Sequence, residues 1–252
     1  PFLNPRTLTH LYKTIVLASV LYGCELWSSL TQEDHRRLST FQHGVCKAVL
    51  NLPKLTRSDM CEQLMDILPI HAEIDARKLM FLGRLCNMST LCLSKQIFIS
   101  RLFSFLTQLV ADPRGFIPDI IDILRKYNLH TYLLTWMTTG TFPHKYSWKT
   151  IVRSTINDFH IQQRQIRMLM DPDFHRFNSV FQHNKPCNIW SFVDNASDIR
   201  NFKFTCKLIV STKTLCLSTC HLCNSTYEDI FFHVTLSCGA LWLPQWMVEH
   251  NC

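Results

Sequence analysis

The stretch IDARKLMFLGRL, from Ile74 to Leu85, decides what kind of fold this chain builds. Ile74, Phe81 and Leu85 recur at helical spacing, while Arg77, Lys78 and Arg84 fall towards another side, so an amphipathic helix is predicted. Upstream, Leu8, Leu11, Tyr12, Ile15, Ser19 and Tyr22 share one helical face after Pro5, and Gly23 weakens the helix end. A second helix is expected to open near Ser29, with Gln32 placed for a capping box, and to carry Leu38, Phe41, Val45 and Val49 as far as Asn51-Leu52-Pro53. Ser58 is a candidate cap for a short helix through Met60, Leu64 and Ile67, stopped by Pro69. Downstream, Ile97 to Leu109, Pro118 to about Tyr127, His130 to Thr138 and Ser147 to Met170 read as further helices, with Gly140 as a stop signal. The fold class expected is mainly α, a multi-helix array followed by a small C-terminal zinc-knuckle-like module.

Composition supports a packed protein. Hydrophobic residues make up 47% and charged residues 18% of the 252, which excludes a wholly disordered chain. Only 6 glycines are present, too few for glycine-rich phosphate loops. The apolar run from Ile15 ends at Glu25 after about ten residues, half of what a bilayer crossing needs, and Lys95 and Arg101 interrupt Leu91–Val110, so no membrane partner is expected. A net charge of +7 favours an acidic partner such as nucleic acid. The texture changes at Asp171-Pro172-Asp173, where the helical pattern gives way to a polar stretch rich in His, Asn and Phe. Residues 1–90 and 91–170 are thus two parts of a helical body, 171–195 is linker-like, and 196–252 is a basic segment with a cysteine-rich tail.

The sharpest local motif lies in that tail. Cys220, Cys223, His233 and Cys238 are spaced Cys-x2-Cys-x9-His-x4-Cys. Two thiolates two residues apart reach one ion from a tight turn, and a His and a Cys five positions apart complete a tetrahedron. Soft sulfur with imidazole selects zinc, and four protein ligands make the site structural and closed. Cys216 and His221 are spare donors that permit other ligand sets, Glu228 and Asp229 are candidates to orient His233, and disulfide pairing is the rival reading. Cys24, Cys46, Cys61, Cys86 and Cys92 sit singly in apolar patterns and read as buried thiols.

Arg200, Lys203, Lys207 and Lys213 precede the cysteines, and the first three share a face if the segment is helical. Trp190, Phe202 and Phe204 interleave with them. Cations that track a backbone beside aromatic platforms are what single-stranded nucleic acid requires, although a solvated face over core aromatics produces the same pattern. Lys145, Lys149, Arg153, Arg164 and Arg167 form a second basic row with the same two readings. No Asp-Asp pair, Walker loop or Gly-x-Ser-x-Gly occurs, so no enzyme and no small-molecule substrate are expected of these residues.

One resemblance is more specific. The phrases LYKTIV at Leu11–Val16 and LYGCELW at Leu21–Trp27 are similar to the thumb signature of LINE-type, non-LTR retrotransposon reverse transcriptases. Phe41-Gln42, Leu52-Pro53, Pro69-Ile70, Glu73–Leu79, Gly115–Ile120 and Thr139–Pro143 follow in that family's order. The tail Cys-x2-Cys, His and final Cys resemble the end of such polyproteins. The resemblance implies that residues 1 to about 85 pack against a template–primer duplex, and that the tail helps hold template RNA or target DNA during target-primed reverse transcription. It also implies a structural zinc ion, an upstream polymerase region that carries the catalytic aspartates, and a nuclear or cytoplasmic location. The other reading is a non-enzymatic remnant or a scaffold for protein contacts.

Overall fold

In the computed structural model, residues 4–28, 30–107 and 114–170 are described, together with residues 203, 206, 207, 210, 218, 219, 226 and 227. The Asn4 side chain accepts from the Arg6 backbone N–H at 2.8 Å, and Pro5 takes the first helical position, where a missing donor is harmless. The first helix runs as α1 (Pro5–Leu11), a π-helical turn (Tyr12–Val16) and α2 (Leu17–Val20). That π turn corrects the predicted face. Thr9, Tyr12 and Leu21 are buried and Val16 and Leu17 half-buried, whereas Leu11, Ile15, Ser19 and Tyr22 are exposed. A wider turn adds one residue to the repeat, so α-helical counting drifts off the true inner face after Tyr12.

Gly23 turns the chain in the left-handed region at φ 71°, and a 3-10 turn (Cys24–Leu26) follows. α3 (Gln32–Leu50) starts three residues after Ser29. Thr31 caps it, accepting from the Asp34 N–H at 3.1 Å while Asp34 accepts from the Thr31 N–H at 3.0 Å, and Asn51 ends it at φ 54°. In α4 (Ser58–Leu64), Ser58 is the first helical residue rather than the cap, and Arg57 holds the cap position, its side chain turned to Asp59 at 3.4 Å.

α5 (Ile70–Asn87) is the spine. It buries Ile70, Ala72, Ile74, Ala76, Leu79, Leu82, Leu85 and Cys86, more than one face's worth, because helices pack on it from several sides. Lys78, expected on its polar side, is 4% exposed; its ammonium donates to Asp119 at 2.8 Å. α6 (Leu93–Leu106) begins after Cys92, which is exposed at that helix end rather than buried. Lys95 folds back and donates to the Cys86 and Met88 carbonyls at 3.0 and 2.7 Å, so it satisfies the end of α5.

α7 (Phe116–Lys126) includes Pro118 and Asp119 in its first turn, and α8 (His130–Thr139) stops at Gly140, φ 71°. α9 (Lys145–Met170) begins two residues before Ser147. Its Trp148 is 2% exposed and donates from Nε1 to the Leu79 carbonyl at 2.7 Å. The indole lies over Gly83, where any Cβ would overlap the ring.

The described residues are mainly helical, as predicted. Their apolar side chains gather in two main clusters. One joins Tyr12, Cys46, Val49, Leu50, Met60, Cys61 and Leu64 with Cys206 and Val210 from far along the chain. The other runs from Ala72 on α5 through α6, α7 and α8 to Trp148, Val152 and Ile156 on α9. A two-residue antiparallel pairing sets Ser218 against Tyr227 and Thr219 against Thr226. The expected change of texture at 171–195 lies outside the described residues.

Candidate nucleic-acid interface

Of the basic residues predicted to meet nucleic acid, Lys203 and Lys207 are described, and both are helical. They stand four apart in the sequence. Lys207 is exposed and Lys203 half-buried. Between and just beyond them, Cys206 and Val210 are buried in the cluster built by the N-terminal helices. Cys206 and Val210 are therefore seated on the body, and Lys207 adjoins the first of them in sequence. Arg200 and Lys213 lie outside the described residues.

The four predicted zinc ligands, Cys220, Cys223, His233 and Cys238, also lie outside them. What is described is the chain on either side of the first two: Thr219 pairs with Thr226, so the backbone enters and leaves that interval at neighbouring points of one small ladder. Among the described residues, no group of three or more His, Cys, Asp or Glu side chains is placed to hold a metal ion.

The second basic row does not act as a row. Arg153 forks onto Glu73 of α5, with contacts of 2.6 and 3.0 Å, and ties α9 to the spine. Arg164 is half-buried, and burial holds its guanidinium below the usual arginine range. Lys145, Lys149 and Arg167 are exposed. Arg153 is thus structural, while the exposure of Lys145, Lys149 and Arg167 suits a solvated face and a nucleic-acid contact alike.

Comparison with known protein families, with curated proteins and with solved structures finds no match to this chain.

Two features escaped the sequence reading. On α3, Arg36, Arg37, Thr40, Phe41 and Gly44 form an exposed patch, and both arginines bond Glu33, at 2.7 and 3.0 Å. A glycine inside an exposed helix gives up about 1 kcal/mol relative to alanine, and nothing in the fold lies within 4 Å of where its Cβ would be. That interior glycine was the available signal.

The second feature is a polar cleft of about 530 Å³ between α3, α4 and the start of α5 on one side and α7 and α9 on the other. His43 meets Glu62 at 3.0 Å on one wall. Behind the lining residues Lys126 and His160, Asp75 accepts from Lys126 at 2.7 Å and from the Tyr127 hydroxyl at 2.9 Å, and that hydroxyl lies 3.3 Å from His160 Nε2. His71 and His160 face each other with ring centroids 5.4 Å apart. Burial, and then the charge of Lys126, lower His71 to about 4. Burial, His71 and Lys126 lower His160 to about 4 as well. Both rings are neutral hydrogen-bonding groups at neutral pH. These residues were invisible as a set because they come from α5, α7 and α9.

Cys24, Cys46, Cys61 and Cys86 are buried packing groups. Burial raises Cys24 and Cys61 to about 11, Cys86 to about 12, and Cys46 further. They are protonated and poorly nucleophilic at neutral pH. No described helix is long and apolar enough to cross a membrane.

Proposed function

We propose that this chain is the nucleic-acid-gripping C-terminal region of a LINE-type reverse transcriptase. It positions template RNA or target DNA for target-primed reverse transcription, and the polymerase chemistry belongs to an upstream region. The observation that carries the reading is the seating of Lys203 and Lys207: Cys206 and Val210 pin their segment into the same cluster as Tyr12, which belongs to the thumb-like LYKTIV phrase. Basic side chains close in sequence to anchored residues present charge near a fixed place, so binding a strand costs little ordering of the chain that carries them. The antiparallel pairing on either side of Cys220-x2-Cys223 supports a knuckle there, with His233 and Cys238 completing the set. Zinc bound to these four ligands would cross-link the tail and supply no reaction step.

Binding to a labelled single-stranded RNA, followed by anisotropy across a salt series, tests this reading. The zinc-loaded chain is expected to bind with an affinity that falls steeply with salt, as phosphate neutralisation requires. Salt-independent or undetectable binding by a folded, zinc-loaded sample would refute it. A second reading, a scaffold for protein contacts, is favoured by one specific observation, the exposed apolar surface of α6.

A further inference from the structure

α9 turns one face to the body, and that face changes character part-way along. Trp148, Val152 and Ile156 are at most 2% exposed, and the same side continues at helical spacing as His160, Gln163, Arg164 and Arg167. The switch from apolar to polar falls where α9 meets the polar cleft of about 530 Å³, which His160, Gln163 and Arg167 line. Withdrawing charged groups from water is costly unless they find partners. Most of those around the cleft do. His43 meets Glu62 at 3.0 Å, Lys126 donates to Asp75 at 2.7 Å, and Asp59 accepts from the Met60 N–H at 3.0 Å and from Arg57 at 3.4 Å. Two guanidiniums have no acid partner among the described residues. Arg167 donates from Nε to the Gln163 carbonyl of its own helix, at 3.3 Å. Arg164 is half-buried; Glu62, Asp66 and Asp59 lie within its electrostatic reach, but none bonds to it.

The cations converge on one place. Lys126 and Arg167 both act on the His71 imidazole, Lys126 and Arg164 both act on that of His160, and the two ring centroids are 5.4 Å apart. We propose that this cleft binds a phosphate monoester, carried by a free nucleotide or by the end of a nucleic-acid strand, with Arg164 and Arg167 gripping the phosphate. A monoester approaches a double negative charge at neutral pH, which matches two guanidiniums without acid partners, whereas a carboxylate leaves one of them unmet. Guanidinium forks bond phosphate oxygens in pairs. Lys126 adds a third positive charge, and the neutral imidazoles add hydrogen bonds without charge. Asp59 and Glu62 keep the partners named above, so neither has to be displaced. The cleft is larger than a phosphate and falls within the roughly 300–1,000 Å³ of small-molecule sites, leaving room for the rest of the ligand beside Pro69 and Phe159. The inference does not rest on the nucleic-acid reading, since it needs neither Lys203 nor Lys207.

The test titrates the full chain calorimetrically with two pairs of probes: adenosine 5′-monophosphate against adenosine, and a 5′-phosphorylated against a 5′-hydroxyl RNA octanucleotide. A phosphorylated probe is expected to bind at least tenfold more tightly than its phosphate-free twin. A difference in the adenosine pair assigns the site to free nucleotides, and a difference in the RNA pair alone assigns it to strand ends. Arg167→Ala, at an exposed position, should abolish the difference, and so should Arg164→Ala, with circular dichroism unchanged. Arg125→Ala removes an exposed arginine of α7 that does not line the cleft and should leave the difference intact. The imidazole signals of His71 and His160 should shift in NMR spectra with the phosphorylated probe and not with its twin. Any of three results would overturn the proposal: no difference within either pair, a difference that survives Arg167→Ala, or an equal loss in Arg125→Ala. Salt-dependent RNA binding that ignores the terminal phosphate would sink this inference and leave the interface at Lys203 and Lys207 standing.

Discussion

The junction of α5 and α9 permits a prediction of opposite sign for two chemically identical changes, Gly83→Ala and Gly44→Ala. At Gly83 the added methyl would overlap the Trp148 indole. The ring has nowhere to go, because Nε1 is bonded to the Leu79 carbonyl at 2.7 Å and edge-to-face contacts with Tyr132 and Phe142 hold it at 5.3 and 4.8 Å between centroids. Overpacking of this kind costs about 1–3 kcal/mol, and straining the indole hydrogen bond adds about 1. Helix propensity returns about 1, so the net loss is about 1–3 kcal/mol. At Gly44 the methyl meets nothing and the propensity gain of about 1 kcal/mol stands alone. The two variants should therefore differ by about 2–4 kcal/mol. Urea unfolding followed by far-ultraviolet circular dichroism reads both midpoints. Coupling is checked by placing Gly83→Ala in a Trp148→Leu background, where its cost should shrink by about 1–2 kcal/mol. A Gly83→Ala protein as stable as its parent, or no coupling to Trp148, would refute the close approach of α9 to α5.

The buried imidazoles give a pH dependence with a definite direction. His71 and His160 are lowered to about 4 in the fold, whereas the unfolded chain binds these protons near 6.5, so their contribution is complete above pH 6.5 and lost as pH falls towards 4. Each ring accounts for at most on the order of 3 kcal/mol, and His160→Asn should flatten the decline; a urea midpoint unchanged between pH 7 and pH 5 would contradict this. Lys203→Ala and Lys207→Ala should each reduce the slope of log affinity against log salt by about 1 for single-stranded RNA, and unchanged slopes would remove these residues from the interface. Lys78→Ala is expected to cost about 2–3 kcal/mol by removing a buried ammonium's ion pair with Asp119 and the packing of its stem, and a neutral effect in the same unfolding assay would show that the pair contributes little. Val210→Asp should unseat the basic segment, seen as faster amide exchange around Cys206, with α5 and α9 unaffected.

The helices were legible where one local rule governed them. Asn51 and Gly140 end helices in the left-handed region, and both were readable as stops because few other residues accept that conformation cheaply. The inner face of the first helix was not, since a π turn leaves no compositional mark and shifts every later position. Lys78 was placed on the polar side because periodicity assigns a lysine to solvent; its burial depends on Asp119, 41 residues away, which no local pattern reveals. The same limit hid the polar cleft. His71, Tyr127 and His160 are unremarkable in their own windows and meet only when α5, α7 and α9 pack. Of the candidate interface, the pairing of cations at Lys203 and Lys207 was readable, but the anchoring that gives it a location was not, because Cys206 reads equally well as a tail thiol.

That anchoring limits how far the proposed knuckle can stand from the body. From Val210, in the core, to Ser218, in the pairing, the chain spans eight residues, which reach at most about 29 Å even when fully extended. Lys203 and Lys207 sit on the near side of that tether and Cys220 just beyond its far end. A single strand bound across both would meet two points tied together, so the second contact forms at an effective concentration set by a short linker rather than by free diffusion. Lengthening the tether should therefore weaken binding even though no contacting residue is altered. Inserting ten Gly/Ser residues between Val210 and Ser218 is expected to lower the affinity for a long single-stranded RNA severalfold. Its affinity for an oligonucleotide too short to reach both points should be unchanged. Equal losses for both ligands would mean that the insertion damages the fold, and no loss for either would mean that the basic helix and the cysteine-rich tail do not act on one strand.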